Sequence, residues 1–295
     1  MNEITRSTIK RVLSAAVALP VYIYTFTTDS FHAIPVLAAS LLITLTCLYE
    51  YYTICGRGDE GRPFVLWGML AGIAVNIIFY LYAFGAAFGY YQYSGIFEAR
   101  ILIGVITVFM AIIMTSQLFK RPLKGGIYSL AVTVFGVMYI VVFFSHFILM
   151  KALSDGFYYI LILNIVIMVN DSAAYFGGVL FGRHKTKFPV SPNKSWEGYF
   201  AGLLFSVIAM MAASYIFDAY YDKPLFTMME SAVLGIALSL LGHIGDLVES
   251  AVKRDGTIKD SGSIIPGHGG MWDVFDAMIF SFPFFYYYLV LKGVS

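Results

Sequence analysis

Residues 253–276 read KRDGTIKDSGSIIPGHGGMWDVFD and hold three cations, four aspartates, one histidine and five glycines. The stretch runs directly into AMIFSFPFFYYYLVL, which is apolar enough for a lipid bilayer. Just upstream, GHIGDLVES (residues 242–250) sets Asp246 and Glu249 three apart, and Asp273 and Asp276 repeat that spacing. Helical side chains three apart share a face and lie about 5–6 Å from one another. Two helix ends can therefore offer several carboxylate oxygens to one point, a donor set suited to Mg2+ together with substrate phosphates. His268 stands among Gly267, Gly269 and Gly270, where the backbone can come close to a ligand.

Two further constellations lie upstream. In RHKTKFPVSPNKSWEG (residues 183–198), four Lys and Arg side chains accompany Ser191, Asn193 and Ser195, a set able to receive an anion. Pro192 suits the first turn of a short helix capped by Ser191, and a helix N-terminus attracts phosphate. Taken alone, the loop reads equally as a basic loop that meets lipid headgroups nonspecifically. In NDSAAYFGGVLFG (residues 170–182), Asp171 falls near the middle of an apolar span. An ionised carboxylate there costs at least ~2.5 kcal/mol, so it must face a partner, a cation or a wet cavity. The alternative is a helix-packing polar cluster with Asn164, Asn170 and Ser172, and Gly178 and Gly182 have the spacing of close helix packing. Together the parts suit phosphoryl or nucleotidyl transfer at a membrane face, where catalysis is largely positioning and electrostatics. Neither the P-loop pattern nor the dinucleotide fingerprint occurs.

The elements that must position these residues are transmembrane helices. The chain is 59% hydrophobic and 13% charged, about half the charge of a soluble domain. The sequence predicts an all-α polytopic membrane protein with about nine spans, near residues 11–28, 31–54, 63–86, 99–119, 127–150, 157–182, 197–217, 230–251 and 272–292. Fifteen of the nineteen Lys and Arg residues then fall on the side of the N-terminus. By the positive-inside rule that side is the cytosol, which leaves the C-terminus outside. The first span is expected to be retained rather than cleaved as a leader, since many spans follow it. Cys47 and Cys55 form neither a metal nor a redox spacing. Ionisable residues are scarce inside the spans up to about residue 155. The expected division is a scaffold and assembly region at 1–155 and a catalytic region at 156–295.

The stretch from Ser250 to Asp276 resembles the signature of the phosphatidate cytidylyltransferases, the CDP-diacylglycerol synthases. Ser250, Val252, Lys253, Arg254, Lys259, Asp260, Gly262, Ile265, Pro266, His268, Gly269, Gly270, Met271, Asp273, Phe275 and Asp276 fall in register with it. NDSAAYFGGVLFG and SPNKSWEG resemble two upstream motifs of the same family, and Gly245–Asp246 matches as well. Motifs cover roughly residues 170–280. One position departs: the family's Arg between the two aspartates is Val274. That departure supports an alternative, a catalytically weakened relative that binds lipid or a protein partner.

The resemblance implies an enzyme that converts CTP and phosphatidic acid to CDP-diacylglycerol and diphosphate in phospholipid synthesis. It implies a bacterial inner (plasma) membrane setting with the site facing the cytosol, a homodimer, and no nucleic-acid partner. On this expectation Asp246 and Asp273 bind Mg2+, with Asp276 as a ligand or behind one. Lys194, Lys253, Arg254 and Lys259 hold the triphosphate or the lipid phosphate, beside Ser191, Asn193 and Ser195. Asp260 and His268 orient loop or substrate groups, and Asp171 lines the cavity, where a second cation could sit. Two rivals fit less well. A cation-coupled transporter calls for broken helices in two related halves, whereas the polar content here sits in one half. A CDP-alcohol phosphatidyltransferase carries a D-G-x2-A-R lead-in that this chain lacks.

Overall fold

The computed structural model describes residues 33–85, 95–222, 225–267 and 269–294. Among them, eight helices are long and apolar enough to cross a membrane. They are α1 (Ile34–Cys55), α2 (Val65–Phe84), α3 (Gly95–Lys120), α4 (Gly126–Ala152), α5 (Gly156–Phe181), α6 (Trp196–Tyr221), α7 (Met228–Asp255) and α8 (Trp272–Leu291). Each matches an expected span to within a few residues. The expected span at 11–28 lies outside the described residues, as do Arg6, Lys10, Arg11, Lys223 and His268. The described residues form isolated β-bridges and no strands. That is the outcome expected in lipid, where a backbone must satisfy its own polar groups.

Local departures from regular helix have identifiable causes. In α4 the stretch Val137–Val142 is π-helical, one wider turn inside an otherwise α-helical span. Pro283 lies inside α8 and removes one backbone donor there. α7 runs past its expected end at 251 to Asp255, carrying Lys253 and Arg254 in its last turn, where cations oppose the negative end of the helix dipole.

The described chain forms two compact units. The first holds the residues up to Phe157 and the segment Val252–Phe275. Its core is tied by buried polar groups. The Ser40 hydroxyl donates to Asn76 Oδ1 at 2.6 Å, and Asn76 Nδ2 donates to Thr44 Oγ1 at 3.1 Å. The Tyr52 hydroxyl donates to the Thr133 carbonyl at 2.7 Å, and the Phe64 amide donates to Thr133 Oγ1 at 2.8 Å. Trp272, fully buried, meets Tyr51 edge-on at 5.5 Å.

The second unit holds Tyr158–Ala251 and Asp276–Lys292. Its α5, α6 and α7 are joined at Asn170, whose Oδ1 accepts from Ser206 Oγ at 3.2 Å and Ser239 Oγ at 2.7 Å. Hydrogen bonds of this kind hold helices together where no hydrophobic force separates a side chain from lipid.

Candidate active site

In the second unit, α7 and α8 approach closely because residue 245 is glycine. A Cβ on Gly245 would stand 2.6 Å from the Asp276 carbonyl oxygen and 3.0 Å from Ala277 Cα. This contact sets the C-terminal part of α7, with Asp246 and Glu249, against Asp276 and Ala277 of α8. Asp246, Glu249 and Asp276 each bring one carboxylate oxygen into a group spanning no more than 4.8 Å. Glu249 and Asp276 are buried and Asp246 is half-buried. Three hard oxygen donors at one point fit a divalent cation such as Mg2+. Without a cation, three acids so close would have to hold a proton or find a counter-charge.

Part of that counter-charge comes from the loop ahead of α6. The Lys194 ammonium pairs with Asp246, and Ser250 Oγ lies 3.5 Å from Asp246 Oδ1. Lys194 also stands 5.6 Å over the Tyr199 ring, and His243, one turn before Asp246 on α7, packs edge-on against Tyr199 at 4.5 Å.

The loop differs from expectation at one point. No helix starts at Pro192; residues 191–193 form a turn, and the helix begins at Trp196 with Ser195 as its cap, accepting from the Gly198 amide at 3.2 Å. The reason lies in the loop's own pairing. Bridges Lys185–Ser195 and Phe188–Ser191 close it into a hairpin-like turn that commits the residue 191–194 backbone before the helix starts. The Thr186 amide donates to the Lys194 carbonyl at 2.9 Å, and Lys185 Nζ donates to the Asn193 carbonyl at 2.9 Å. Glu197 braces the other end by accepting from the His184 amide at 3.1 Å. Ser191 is half-buried and Asn193 exposed. Asp171 is exposed and accepts from Asn170 Nδ2 at 3.2 Å.

In the first unit, the segment from α7 to α8 organises around Asp273. Lys253 Nζ meets Asp273 Oδ1 at 2.7 Å, with both side chains about nine-tenths buried. Asp273 Oδ2 accepts from the Ser261 amide at 2.8 Å, the Gly270 amide at 2.7 Å and Ser261 Oγ at 3.0 Å. Gly269, at φ +100°, allows this wrap, since a Cβ there would sit 2.5 Å from Asp273 Oδ2. Asp273 is thus engaged by four donors and is not a member of the acidic trio. Arg254, Lys259 and Asp260 are exposed, and Arg254 Nη1 donates to the Ile258 carbonyl at 2.9 Å.

Glu50 was not among the expected site residues, yet it stands at the same segment. It is a buried acid inside α1, in the half of the chain with few intramembrane charges. The signal available in the sequence was that rarity, because an acid within a span marks a partner or a function.

A profile described as the cytidylyltransferase family matches residues 9–292. The chain is 34% identical over 224 residues to a phosphatidate cytidylyltransferase of Bacillus subtilis, a match covering 75% of this chain and 79% of that protein. It is 42% identical over 132 residues to a phosphatidate cytidylyltransferase of Staphylococcus aureus, covering 44% of this chain and 48% of the relative. A Staphylococcus epidermidis protein of the same name is 34% identical over 174 residues, covering 59% and 64%. With nearly the whole chain matched, and with an acidic trio, a basic loop and a glycine-lined turn at the ends of membrane helices, the chain belongs to the cytidylyltransferase family.

Proposed function

We propose that this membrane protein transfers the cytidylyl group of CTP to phosphatidate, forming CDP-diacylglycerol and releasing diphosphate. The observation that carries this reading is the convergence of Asp246, Glu249 and Asp276 within 4.8 Å, with Lys194 paired to Asp246. A phosphate oxygen of phosphatidate attacks the α-phosphorus of CTP, the bond to the β-phosphate breaks, and diphosphate leaves with that electron pair. Phosphate monoesters lose their second proton near pH 6, so the lipid arrives largely dianionic and no strong general base is required. The difficulty is repulsion between two polyanions. Mg2+, held by Asp246, Glu249 and Asp276, would supply charge neutralisation at the phosphate oxygens.

The protein's own side chains do the rest of the work. Lys194 leaves Asp246 for a phosphate oxygen, while Lys253, oriented by Asp273, and the exposed Arg254 and Lys259 hold the triphosphate or the lipid phosphate. Ser191, Asn193 and Ser195 line the anion side, Asp260 and His268 orient groups in the signature turn, and Asp171 lines the cavity near any second cation. Lys253 already serves as the counter-charge of Asp273 at 2.7 Å, which removes the need for an arginine at 274 and favours an active enzyme over a weakened one.

The excess of basic residues on the loops of one side supports a site at the cytosolic face of the inner membrane, with the C-terminus outside. A cysteine introduced at Ser191 should label in intact cells only with permeant reagents; labelling by an impermeant one would reverse the orientation. The native Cys47 and Cys55 are buried and should not interfere. Residues 1–155 serve mainly as scaffold and as the surface for a homodimer, consistent with exposed apolar side chains such as Leu66 and Leu118.

The test of the reaction uses purified protein in mixed micelles with phosphatidate, Mg2+ and CTP labelled in the cytosine ring. Magnesium-dependent movement of label into the organic phase is expected, with Asp276→Asn needing more Mg2+ to reach it. Folded protein that moves no label would refute the reading.

A further inference from the structure

Glu50 lies inside α1 and is only 4% exposed. Its two carboxylate oxygens receive three hydrogen bonds, all from the segment between α7 and the start of α8. The Met271 amide donates to Oε1 at 3.0 Å, the Trp272 amide to Oε2 at 2.9 Å, and Ser261 Oγ to Oε2 at 2.8 Å. Met271 and Trp272 open α8, so their amides belong to the donors that a helix start leaves without intrahelical acceptors. A carboxylate at that end also meets the positive end of the helix dipole.

The contact reaches Asp273 through one atom. Ser261 Oγ lies 2.8 Å from Glu50 Oε2 and 3.0 Å from Asp273 Oδ2, so its single hydrogen serves both carboxylates. The Ser261 amide binds Asp273 as well, and Asp273 holds Lys253. Two glycines make room for Glu50. A Cβ on Gly262 would stand 2.5 Å from Glu50 Oε1, and one on Gly270 would stand 2.5 Å from Oε2. Tyr51, the next residue on α1, packs against Trp272. Adjacent residues of one helix thus grip the same turn, one by charge and one by shape.

We propose that Glu50 is a positioning residue for cytidylyl transfer: from α1 it fixes the signature turn and the first turn of α8, and through Ser261 it holds the Asp273–Lys253 pair in place. The proposal rests on the reaction assigned above. Glutamine at this site keeps size and loses function in a defined way. Its single oxygen can serve the Ser261–Trp272 side, but the amide group then faces the Met271 N–H, donor against donor.

The experiment compares full-length wild type and Glu50→Gln in micelles by steady-state kinetics and by hydrogen exchange of peptides covering residues 256–272. Loss of a hydrogen bond to a charged acceptor corresponds to roughly ten- to hundredfold. The expected result is a fall in kcat of about that size, with KM for CTP and phosphatidate each within about threefold. Exchange over 256–272 should rise roughly tenfold while α5 and α6 stay unchanged. A general loss of structure would raise exchange everywhere. Wild-type kcat, or a lower kcat with unchanged exchange over 256–272, overturns the proposal. Should Glu50→Gln fail to accumulate folded, Gly270→Ala, whose added carbon displaces both the Ser261 hydroxyl and the Glu50 carboxylate, should show the same kcat and exchange pattern; wild-type behaviour there overturns it equally. The exchange arm reads the grip without any substrate, so failure of the reaction assignment and failure of this role remain distinguishable.

Discussion

Replacing Gly245 by alanine tests whether the site depends on the close approach of α7 to α8. The added Cβ would lie 2.6 Å from the Asp276 carbonyl oxygen, 3.0 Å from Ala277 Cα and 3.1 Å from the Asp276 carbonyl carbon. All three atoms are backbone, so no side chain can rotate away. Ordinary contact begins at 3.4 Å, and the helices must therefore part by about 0.8 Å at this point. Overpacking of this kind costs about 1–3 kcal/mol. The larger effect falls on chemistry, because Asp246 and Asp276 ride on the two helices being separated, and a misplacement near 1 Å costs about a hundredfold in rate. The expected outcome in the label-transfer assay is turnover reduced about 30- to 100-fold, with a higher Mg2+ requirement. Gly104→Ala is the matched control, since a Cβ there meets nothing within 4 Å, and alanine is the better helix former. Gly245→Ala with wild-type turnover and an unshifted Mg2+ titration would refute the reasoning.

Glu249→Gln and Asp276→Asn should each raise the Mg2+ concentration for half-maximal turnover by about tenfold or more; an unmoved titration removes that residue from the cation site. Lys194→Ala, which takes the ammonium from Asp246, should raise KM for CTP or phosphatidate by roughly tenfold, and unchanged KM for both would show that the lysine only braces the loop. Val274→Arg should alter turnover less than about threefold, because Asp273 already accepts from Lys253, Ser261 and Gly270; a gain of an order of magnitude would mean that valine does limit this enzyme.

The spans were legible because lipid leaves a chain few options. A backbone that must satisfy itself over about 30 Å needs some 20 apolar residues, and α2, α4 and α5 follow that rule closely. Helix ends were less legible where charge extends a helix, as at Lys253 and Arg254 in α7. At the site, spacing drew attention to Asp246, Asp273 and Asp276, but spacing within one helix does not say which way each acid turns. Residues three apart differ by about 60° around the axis. That difference separates Asp276, grouped with Asp246 and Glu249, from Asp273, turned to loop amides. Glu50 was conspicuous as a rare acid within a span, but what it meets was beyond reach for another reason. Its partners lie more than 200 positions away, and its neighbours in the sequence carry no motif that points to them.

That separation has a consequence for how the molecule is made. Ser261 follows Glu50 by 211 residues, and ribosomes add about 5–20 residues per second. For roughly 10–40 s of synthesis, α1 exists without the groups that later receive its carboxylate. Glu50 stands five residues before the end of α1, so it meets less than the roughly 2.5–3.5 kcal/mol that a charged acid costs at a span's centre. The nascent helix can shelter it near the headgroups or beside another span. Only when the last helix arrives does α1 become a comfortable lipid segment. A chain released early keeps an acid-bearing helix, and that single carboxylate distinguishes an unfinished molecule from a finished one.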